Sequence, residues 1–140
     1  MDLEYGPEYQ DFTKEVQGFC KKYKGLSFTN GSNNPLGSSG GSGGPEMSRS
    51  EWQKTLIDNG YFARSVPKEY GGYGGEVDIL KSRIIAAEFS KSKTPGAMGG
   101  QGIDMLVPTL LEMGTEEQKQ AYIKPTLHGE MIWCQGYSEP

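Results

Sequence analysis

Apolar side chains recur at steps of three and four residues along most of this chain, and this spacing limits the fold more than any other feature. The stripes that predict amphipathic helices fall in residues 7–24, 48–60, 76–91, 103–113 and 115–129. Residues 131–137 instead carry Ile, Trp and Tyr without helix caps and favour an extended strand. Because one strand cannot form a sheet, we expect an all-α fold, an orthogonal or up-down bundle of about five helices with a short extended segment at the C-terminus.

Local signals mark where several of these helices begin and end. In Gly114–Gln118 a glycine ends one helix, and a threonine with a glutamine three residues later caps the next. Ser48–Glu51 has the same capping-box spacing. Pro108 lies inside an apolar stripe, and since proline lacks a backbone N–H, that helix either begins near Val107 or is kinked there.

Glycine is the compositional outlier, with 21 of 140 residues, about twice the usual share. Six of these glycines fall in residues 30–45, an uncharged Gly/Ser-rich run that we interpret as a linker or loop. Its segment 37–44 resembles a laboratory linker, so both an engineered loop replacement and a natural loop stay open. Many of the remaining glycines stand between predicted helices, where turns require them.

Composition excludes several classes of protein. A net charge of −4 and an isoelectric point near 5.0 give no general attraction to nucleic acid. The sequence contains no apolar run near the ~18 residues that a membrane span needs. The N-terminus has no basic segment followed by an apolar core, so we expect no secretory signal and a cytoplasmic location.

Residue chemistry alone indicates no catalytic group or metal site. The clusters Gly72–Gly75 and Gly99–Gly102 both lack the spacing of nucleotide-binding loops. Cys20 and Cys134 lie far apart without a zinc-site or disulfide pattern and are expected to be free thiols. His128, the single histidine, stands just before a helix-ending glycine, where capping is a simpler role than catalysis.

Six short motifs, in order, resemble the N-terminal domain of acyl-CoA dehydrogenases, and together they cover about two thirds of the chain. They are Trp52 with Leu56 and Gly60, the Pro-Lys-Glu-Tyr-Gly-Gly-Tyr-Gly run at 67–74, Pro108–Leu110, Gly114–Lys119, Gly129–Glu130, and the Trp-Cys-Gln-Gly-Tyr-Ser-Glu-Pro run at 133–140. The resemblance implies an all-α domain of a three-domain flavoenzyme that binds FAD and acts in fatty acid metabolism. Such enzymes introduce a Cα–Cβ double bond into a CoA thioester and pass a hydride to FAD.

The resemblance also implies how the chain is divided and what it lacks. Residues 1–29 hold the first helix, 30–45 the linker or loop, 46–130 the remainder of the α-domain, and 131–140 an extended segment leading to an absent β-domain. In most members the catalytic glutamate comes from the C-terminal domain, and no residue here corresponds to it. A fragment of this kind is expected to be inactive alone, and its parent to meet an acyl-CoA substrate, an electron-transfer acceptor and identical subunits in a dimer or tetramer.

The flavin contacts implied by the resemblance are Gln135, Tyr137 and Ser138, in the segment that lies along the flavin ring. Ser138 supplies a hydroxyl near the polar edge of the ring, whereas Gln135 replaces an aromatic residue of some members. These residues are the predicted cofactor site. No metal site is expected.

The implied acyl-chain contacts are Gln101, Gly102, Met105 and Leu106, at the start of the helix before the Gly-Thr-Glu-Glu turn. Core packing is an equally good interpretation of Met105 and Leu106, and Gly102 leaves room for a substrate only if the helix begins before it. A second hypothesis for the whole chain is a stand-alone helical binding or assembly module without catalysis, because a fold does not fix a function.

Overall fold

The computed structural model describes residues 6–29 and 43–136, and within these ranges the chain is mostly helical. The helices are α1 (Pro7–Lys22), α2 (Arg49–Asp58), α3 (Ile79–Ser92), α4 (Val107–Met113) and α5 (Glu116–Leu127). A 3₁₀ turn covers Lys68–Tyr70 and a π turn covers Gly102–Leu106. The predicted all-α class is therefore confirmed. The chain divides into two compact units, which are Met1–Ser48 with Val77–Gly96, and Arg49–Glu76 with Ala97–Pro140.

The first unit is built on the packing of α1 against α3. Val16 and Ile84 are buried, and the rings of Phe19 and Phe89 stack with their centroids 5.9 Å apart and their planes 10° from parallel. Cys20 is a buried free thiol, as expected for a small apolar side chain in a helix stripe. The apolar stripe of residues 7–24 thus forms one side of this core.

A short pair of parallel strands also belongs to the first unit and was missed by the sequence analysis. Strand β1 (Ser27–Phe28) pairs with β2 (Glu46–Met47) in the register Ser27 to Glu46. Parallel neighbours need a long connection, and the Gly/Ser-rich run lies between these two strands in the sequence. Residues 30–42 of that run are outside the described ranges. The two flanks of that run therefore lie side by side.

The second unit has its own apolar core. Its buried members come from α2, the 66–70 segment, α4 and α5, and they are Ile57, Val66, Tyr70, Val107, Ile123 and Leu127. Phe62, Ala63, Leu110 and Leu111 pack around them. Because the six come from four separate parts of the unit, this core fixes α4 and α5 relative to each other.

Of two sequence predictions about helix ends, one is confirmed and the other is wrong. The predicted junction at Gly114–Gln118 is confirmed, because Thr115 caps α5 and both hydrogen bonds of its capping box with Gln118 form, at 3.0 and 3.3 Å. The helix predicted by the apolar stripe at residues 76–91 begins later than that stripe, at Ile79. Asp78 is the N-cap, so Val77 precedes the helix and is 78% exposed.

The C-terminal strand expected at 131–137 also does not form in the described part of the chain. Residues 132–136 belong to neither a helix nor a strand. A strand requires a neighbouring backbone to complete its ladder of hydrogen bonds, and the sheet of the described residues contains β1 and β2 without this segment. The segment packs through side chains instead.

Candidate functional site

A pocket of about 210 Å³ in the second unit gathers most of the described residues that the sequence assigned to ligand binding. One side comes from the π turn and α4, the other from the segment after α5, and the lining is Gln101, Met105, Leu106, Thr109, Trp133, Cys134 and Gln135. Three of the four predicted acyl-chain residues thus meet one predicted flavin residue. The other two flavin residues, Tyr137 and Ser138, lie outside the described ranges.

The π turn at Gly102–Leu106 shapes one side of this pocket. The backbone N–H of Val107 donates to the carbonyl of Gly102, five residues back, so the turn holds one residue more than an α-helical turn. Pro108 then falls in the first turn of α4, where no backbone donor is needed. The sequence left a new start and a kink open, and the structure shows α4 beginning at Val107 directly after the π turn.

The π turn leaves Met105 accessible at the pocket. Its side chain is 51% exposed, while the hydroxyl of Thr109 donates to its backbone carbonyl over 2.7 Å. Methionine is flexible and polarizable and adapts to apolar ligands of varied shape. Full core packing, the alternative interpretation of Met105, does not agree with this exposure.

Gly102 is buried where an aromatic ring crosses the helix. A Cβ at this position would lie 2.6 Å from Cδ1 of Trp133 and 3.0 Å from Cγ2 of Thr126. The space left by the missing side chain is therefore filled by the indole. Gly102 lines a second, smaller cavity of about 60 Å³ together with Met98, Ile103, Met131 and Trp133, among others.

Trp133 forms the opposite wall, a role that the sequence did not indicate. Its Nε1 donates to Oγ1 of Thr126 over 2.8 Å, and the Thr126 hydroxyl donates to the carbonyl of Tyr122 over 2.6 Å. The rings of Tyr122 and Trp133 meet edge to face with centroids 5.6 Å apart. The sequence offered one signal for this contact, which was a tryptophan a few residues after a helix that carries a threonine.

A buried glutamine fixes the loop that precedes the π turn. Gln53 is fully buried, its Nε2 donates to the carbonyl of Leu127 over 3.1 Å, and its Oε1 accepts from the N–H of Met98 over 2.7 Å. One side chain from α2 thus holds both the end of α5 and the 97–101 segment. Periodicity places Gln53 on a helix but does not show that it is a buried polar link.

His128 is the C-cap of α5, the role expected from sequence. Burial lowers the pKa of its imidazole, and the positive charge of Lys54 lowers that pKa further. Lys54 is paired with Glu130 at 3.0 Å, and Glu130 Oε1 lies 3.9 Å from Nδ1 of His128. The lowered pKa favours the uncharged imidazole, and the cap itself is made by the backbone N–H of His128.

Cysteine and acidic side chains were the remaining candidates for reactive or metal-binding groups. Cys134 is a free, exposed thiol at the pocket, and within residues 6–29 and 43–136 no three His, Cys, Asp or Glu side chains are grouped to hold a metal. In those same ranges no helix combines the length and apolar character needed to cross a bilayer. The pocket can offer apolar contact and amide hydrogen bonds.

Comparisons with known proteins agree with the motif order. The family profile "Acyl-CoA dehydrogenase, N-terminal domain" matches residues 43–130, more than half of the chain. Acyl-CoA dehydrogenase IpdE1 of Mycolicibacterium smegmatis is 33% identical over 92 residues, which are 66% of this chain and 23% of that protein. The short-chain specific acyl-CoA dehydrogenase of Clostridium acetobutylicum is 42% identical over 74 residues, covering 52% and 19%.

A solved structure, the ChsE4–ChsE5 complex from Mycobacterium tuberculosis, contains a chain with a similar fold. It matches all of this chain and 32% of its own length with a TM-score of 0.59 at 23% identity, a likeness that shows the fold alone. The chain spans about a quarter or less of the length of these curated relatives. The match across 43–130 shows that this chain belongs to the acyl-CoA dehydrogenase family and contains the family's N-terminal domain.

Proposed function

We propose that this chain is the N-terminal α-domain of an FAD-dependent acyl-CoA dehydrogenase and that it forms one wall of the acyl pocket beside the flavin. The observation that carries the proposal is the shared pocket of Met105 and Leu106 with Gln135. The family resemblance assigns the first two to the acyl chain and the third to the flavin. Acyl chain and flavin must lie side by side for the Cα–Cβ bond to be oxidised, so a common pocket supports both assignments.

The size of the pocket supports a wall rather than a complete site. Its volume of about 210 Å³ is below the ~300 to 1,000 Å³ of ordinary ligand pockets. The chain matches 23% of the length of IpdE1, and in a parent protein of that length other parts would close the pocket. Closure would expel water from the apolar surface of Met105, Leu106 and Trp133, and a dry site strengthens electrostatic interactions within it.

Gln135 offers chemistry that supports a contact with the polar edge of a flavin ring. Gln135 is exposed at the pocket, and its amide can both donate and accept hydrogen bonds. Trp133, which is bonded to Thr126, lines the same pocket as Gln135 and the π turn. When bound, FAD would supply the hydride acceptor. The roles of Tyr137 and Ser138 at the same edge are part of this proposal.

In this proposal, a base outside this chain removes the proton from the thioester. Alone, the chain would then bind but not oxidise a CoA thioester. The parent would use an acyl-CoA substrate and an electron-transfer acceptor in fatty acid metabolism, in the cytoplasm, and would assemble as a homo-oligomer. The similarly folded ChsE4–ChsE5 structure is a complex, which supports assembly.

Tryptophan fluorescence tests the acyl pocket directly. The two tryptophans differ, because Trp52 is buried and Trp133 lines the pocket. We expect butanoyl-, octanoyl- or palmitoyl-CoA to change the Trp133 signal in a saturable manner that CoA alone does not reproduce. Met105→Glu should abolish that change, and Met113→Glu, at a methionine of α4 that is 81% exposed and outside the pocket, should preserve it.

Three results would contradict the proposal. They are an equal loss of signal in both methionine variants, a response to CoA as large as the response to every thioester, and oxidation of a thioester by the chain with FAD but without another protein. A chain that dimerises and binds neither thioester nor FAD would instead support the stand-alone module.

A further inference from the structure

A basic groove lies in the second unit, away from the pocket described above. It has a volume of about 460 Å³ and is formed by α2, the 68–73 turn and α5. Its lining is Lys54, Ile57, Asp58, Lys68, Gly71, Gly72, Tyr73, Lys124 and His128. Three lysines thus face one carboxylate in this groove, although the whole chain carries a net charge of −4.

Two of these lysines pack against glycines in or directly after the 68–73 turn. Gly71 has a φ of +89°, and a Cβ there would lie 2.8 Å from Cγ of Lys124. Gly74 has a φ of +71°, and a Cβ there would lie 2.8 Å from Cγ of Lys68. The missing side chains therefore let both lysine stems lie against the turn, which reduces the freedom that each stem would lose on binding a ligand.

Neither of these two lysines is held in an ion pair within the described part of the chain, although Lys124 contributes to lowering the pKa of Glu130. Lys54 is paired with Glu130 at 3.0 Å. None of the ion pairs among residues 6–29 and 43–136 includes Lys68 or Lys124. A concave surface lined by like charges concentrates its field and attracts counter-ions.

Backbone donors of the turn are not available to such a counter-ion. The N–H groups of Gly71, Gly72 and Tyr73 already donate to the carbonyls of Lys68, Pro67 and Ala63. Recognition in this groove therefore depends on lysine ammonium groups. An ammonium is a compact charge with three donors and binds phosphate well.

The groove lies on the opposite side of α5 from the acyl pocket. Lys124 and His128 are four residues apart and share one face of the helix. Thr126, which holds Trp133, is two residues from each and so about 200° around the helix. A ligand in the groove is therefore not the acyl chain.

We propose that this groove binds a phosphate-class oxyanion through Lys68 and Lys124, with Lys54 and His128 at its edge. The site is independent of the proposed acyl pocket. Its ligand is either a free inorganic oxyanion or a phosphate group of a nucleotide-containing molecule, and these share the chemistry that the lysines recognise.

His128 provides a local probe, because it is the single histidine of the sequence. Its imidazole resonances can be followed by NMR in the 140-residue chain as pH is varied, with inorganic phosphate or with chloride at equal ionic strength. The groups that face it are Lys54, Lys124, Asp58 and Glu130. A bound oxyanion adds negative charge, so we expect phosphate to raise the pKa of His128 in a saturable manner and chloride to leave it unchanged.

Matched lysine variants test the assignment. Lys68→Gln and Lys124→Gln should each weaken phosphate binding by about two- to fivefold, the range of an exposed ion pair, and the double variant should weaken it further. Lys14→Gln, at an exposed lysine of α1 paired with Asp11, should bind phosphate like the unchanged chain. Because Lys68 and Lys124 are exposed, neither substitution should disturb folding, which far-ultraviolet circular dichroism checks.

Pyrophosphate and adenosine 3′,5′-bisphosphate distinguish the two ligand sources. Tighter binding of pyrophosphate would indicate a free oxyanion, and tighter binding of the bisphosphate a nucleotide, and either result supports the site. The proposal is overturned if phosphate acts no differently from chloride, or if Lys14→Gln weakens binding as much as the groove variants do.

Discussion

The indole of Trp133 donates a hydrogen bond to the hydroxyl of Thr126 over 2.8 Å, and this one contact ties the segment after α5 back onto the helix. Thr126 is only 2% exposed, and its own proton goes to the carbonyl of Tyr122. A single hydroxyl thus accepts from the Trp133 side of the pocket and donates within α5. The orientation of the pocket wall depends on it.

Replacing Thr126 with valine should therefore loosen that wall. The shape of the side chain is kept, but the indole N–H loses its acceptor, a loss of about 1 to 3 kcal/mol in unfolding free energy. Urea denaturation followed by tryptophan fluorescence measures it. Thr55→Val is the control, because the Thr55 hydroxyl also bonds a helix carbonyl but on an exposed surface, and its effect should stay within about 0.5 kcal/mol. Equal losses in the two variants would contradict a special role for Thr126.

Glycine-to-alanine changes in two helical positions should have opposite signs. Gly102→Ala places a methyl group 2.6 Å from Trp133, so we expect a loss of about 1 to 3 kcal/mol from overpacking. Gly18→Ala in α1 meets nothing within 4 Å and should stabilise the chain by about 0.5 to 1 kcal/mol through helix propensity. Thermal and urea unfolding of both variants measure the two changes in stability. Stabilisation by Gly102→Ala would contradict the prediction and show that the indole moves aside freely.

Gln53→Leu should destabilise the second unit without changing its apolar packing volume greatly. The substitution removes both hydrogen bonds of a fully buried amide and leaves the Leu127 carbonyl and the Met98 N–H without that partner. We expect a loss of about 2 kcal/mol or more. Hydrogen exchange at Met98 should accelerate in parallel. Gln120→Leu, at an exposed glutamine that bonds Glu116, should cost less than about 0.5 kcal/mol.

The Tyr70–Glu116 hydrogen bond predicts how stability depends on pH. The Tyr70 hydroxyl donates to Oε2 of Glu116 over 2.7 Å, which raises the pKa of Tyr70 to about 12. Hydrogen bonds from Gln120 and then Tyr70 lower the pKa of Glu116. Above about pH 10 the unfolded tyrosine loses its proton while the folded one keeps it, so stability should fall as pH rises from about 10 to 12.

On the acid side, the unfolded glutamate takes up its proton first, so stability should also fall as pH drops below about 4.5. Tyr70→Phe should remove the loss of stability at alkaline pH and reduce the loss at acid pH. Denaturation at a series of pH values, compared with Tyr73→Phe, measures both. An alkaline slope unchanged by Tyr70→Phe would show that the hydrogen bond does not persist in solution.

Features set by neighbouring residues could be predicted from the sequence, and those set by distant ones could not. The Thr115–Gln118 capping box and the end of α4 at Gly114 follow from a few adjacent residues, and both form. Pro108 limited its helix to two outcomes, but the choice depended on the π turn before it. The exposure of Val77 was missed because the cap at Asp78, not the apolar stripe, decides where α3 begins.

The family resemblance predicted some of the residues that line the pocket, and the others could be identified only from the structure. The family motifs pointed to Met105, Leu106 and Gln135, which share a pocket. They gave no reason to connect Trp133 with Thr126, or to place Lys68 and Lys124 in one groove, because side-chain pairs between separate elements leave no periodic signal. Binding by Gln101, Gly102, Met105, Leu106 and Gln135 stays a prediction.

The pairing of β1 with β2 makes the connection between them a natural insertion point. Ser27 and Glu46 are held in register by the folded unit, so the intervening segment need only bridge a fixed, short gap. Doubling the length of a connection between two fixed ends costs only about 0.6 kcal/mol in closure entropy. A peptide tag or a reporter domain could therefore be carried between Thr29 and Pro45, far along the chain from Gln101–Gln135, and the two strands would still define where it leaves and re-enters the protein.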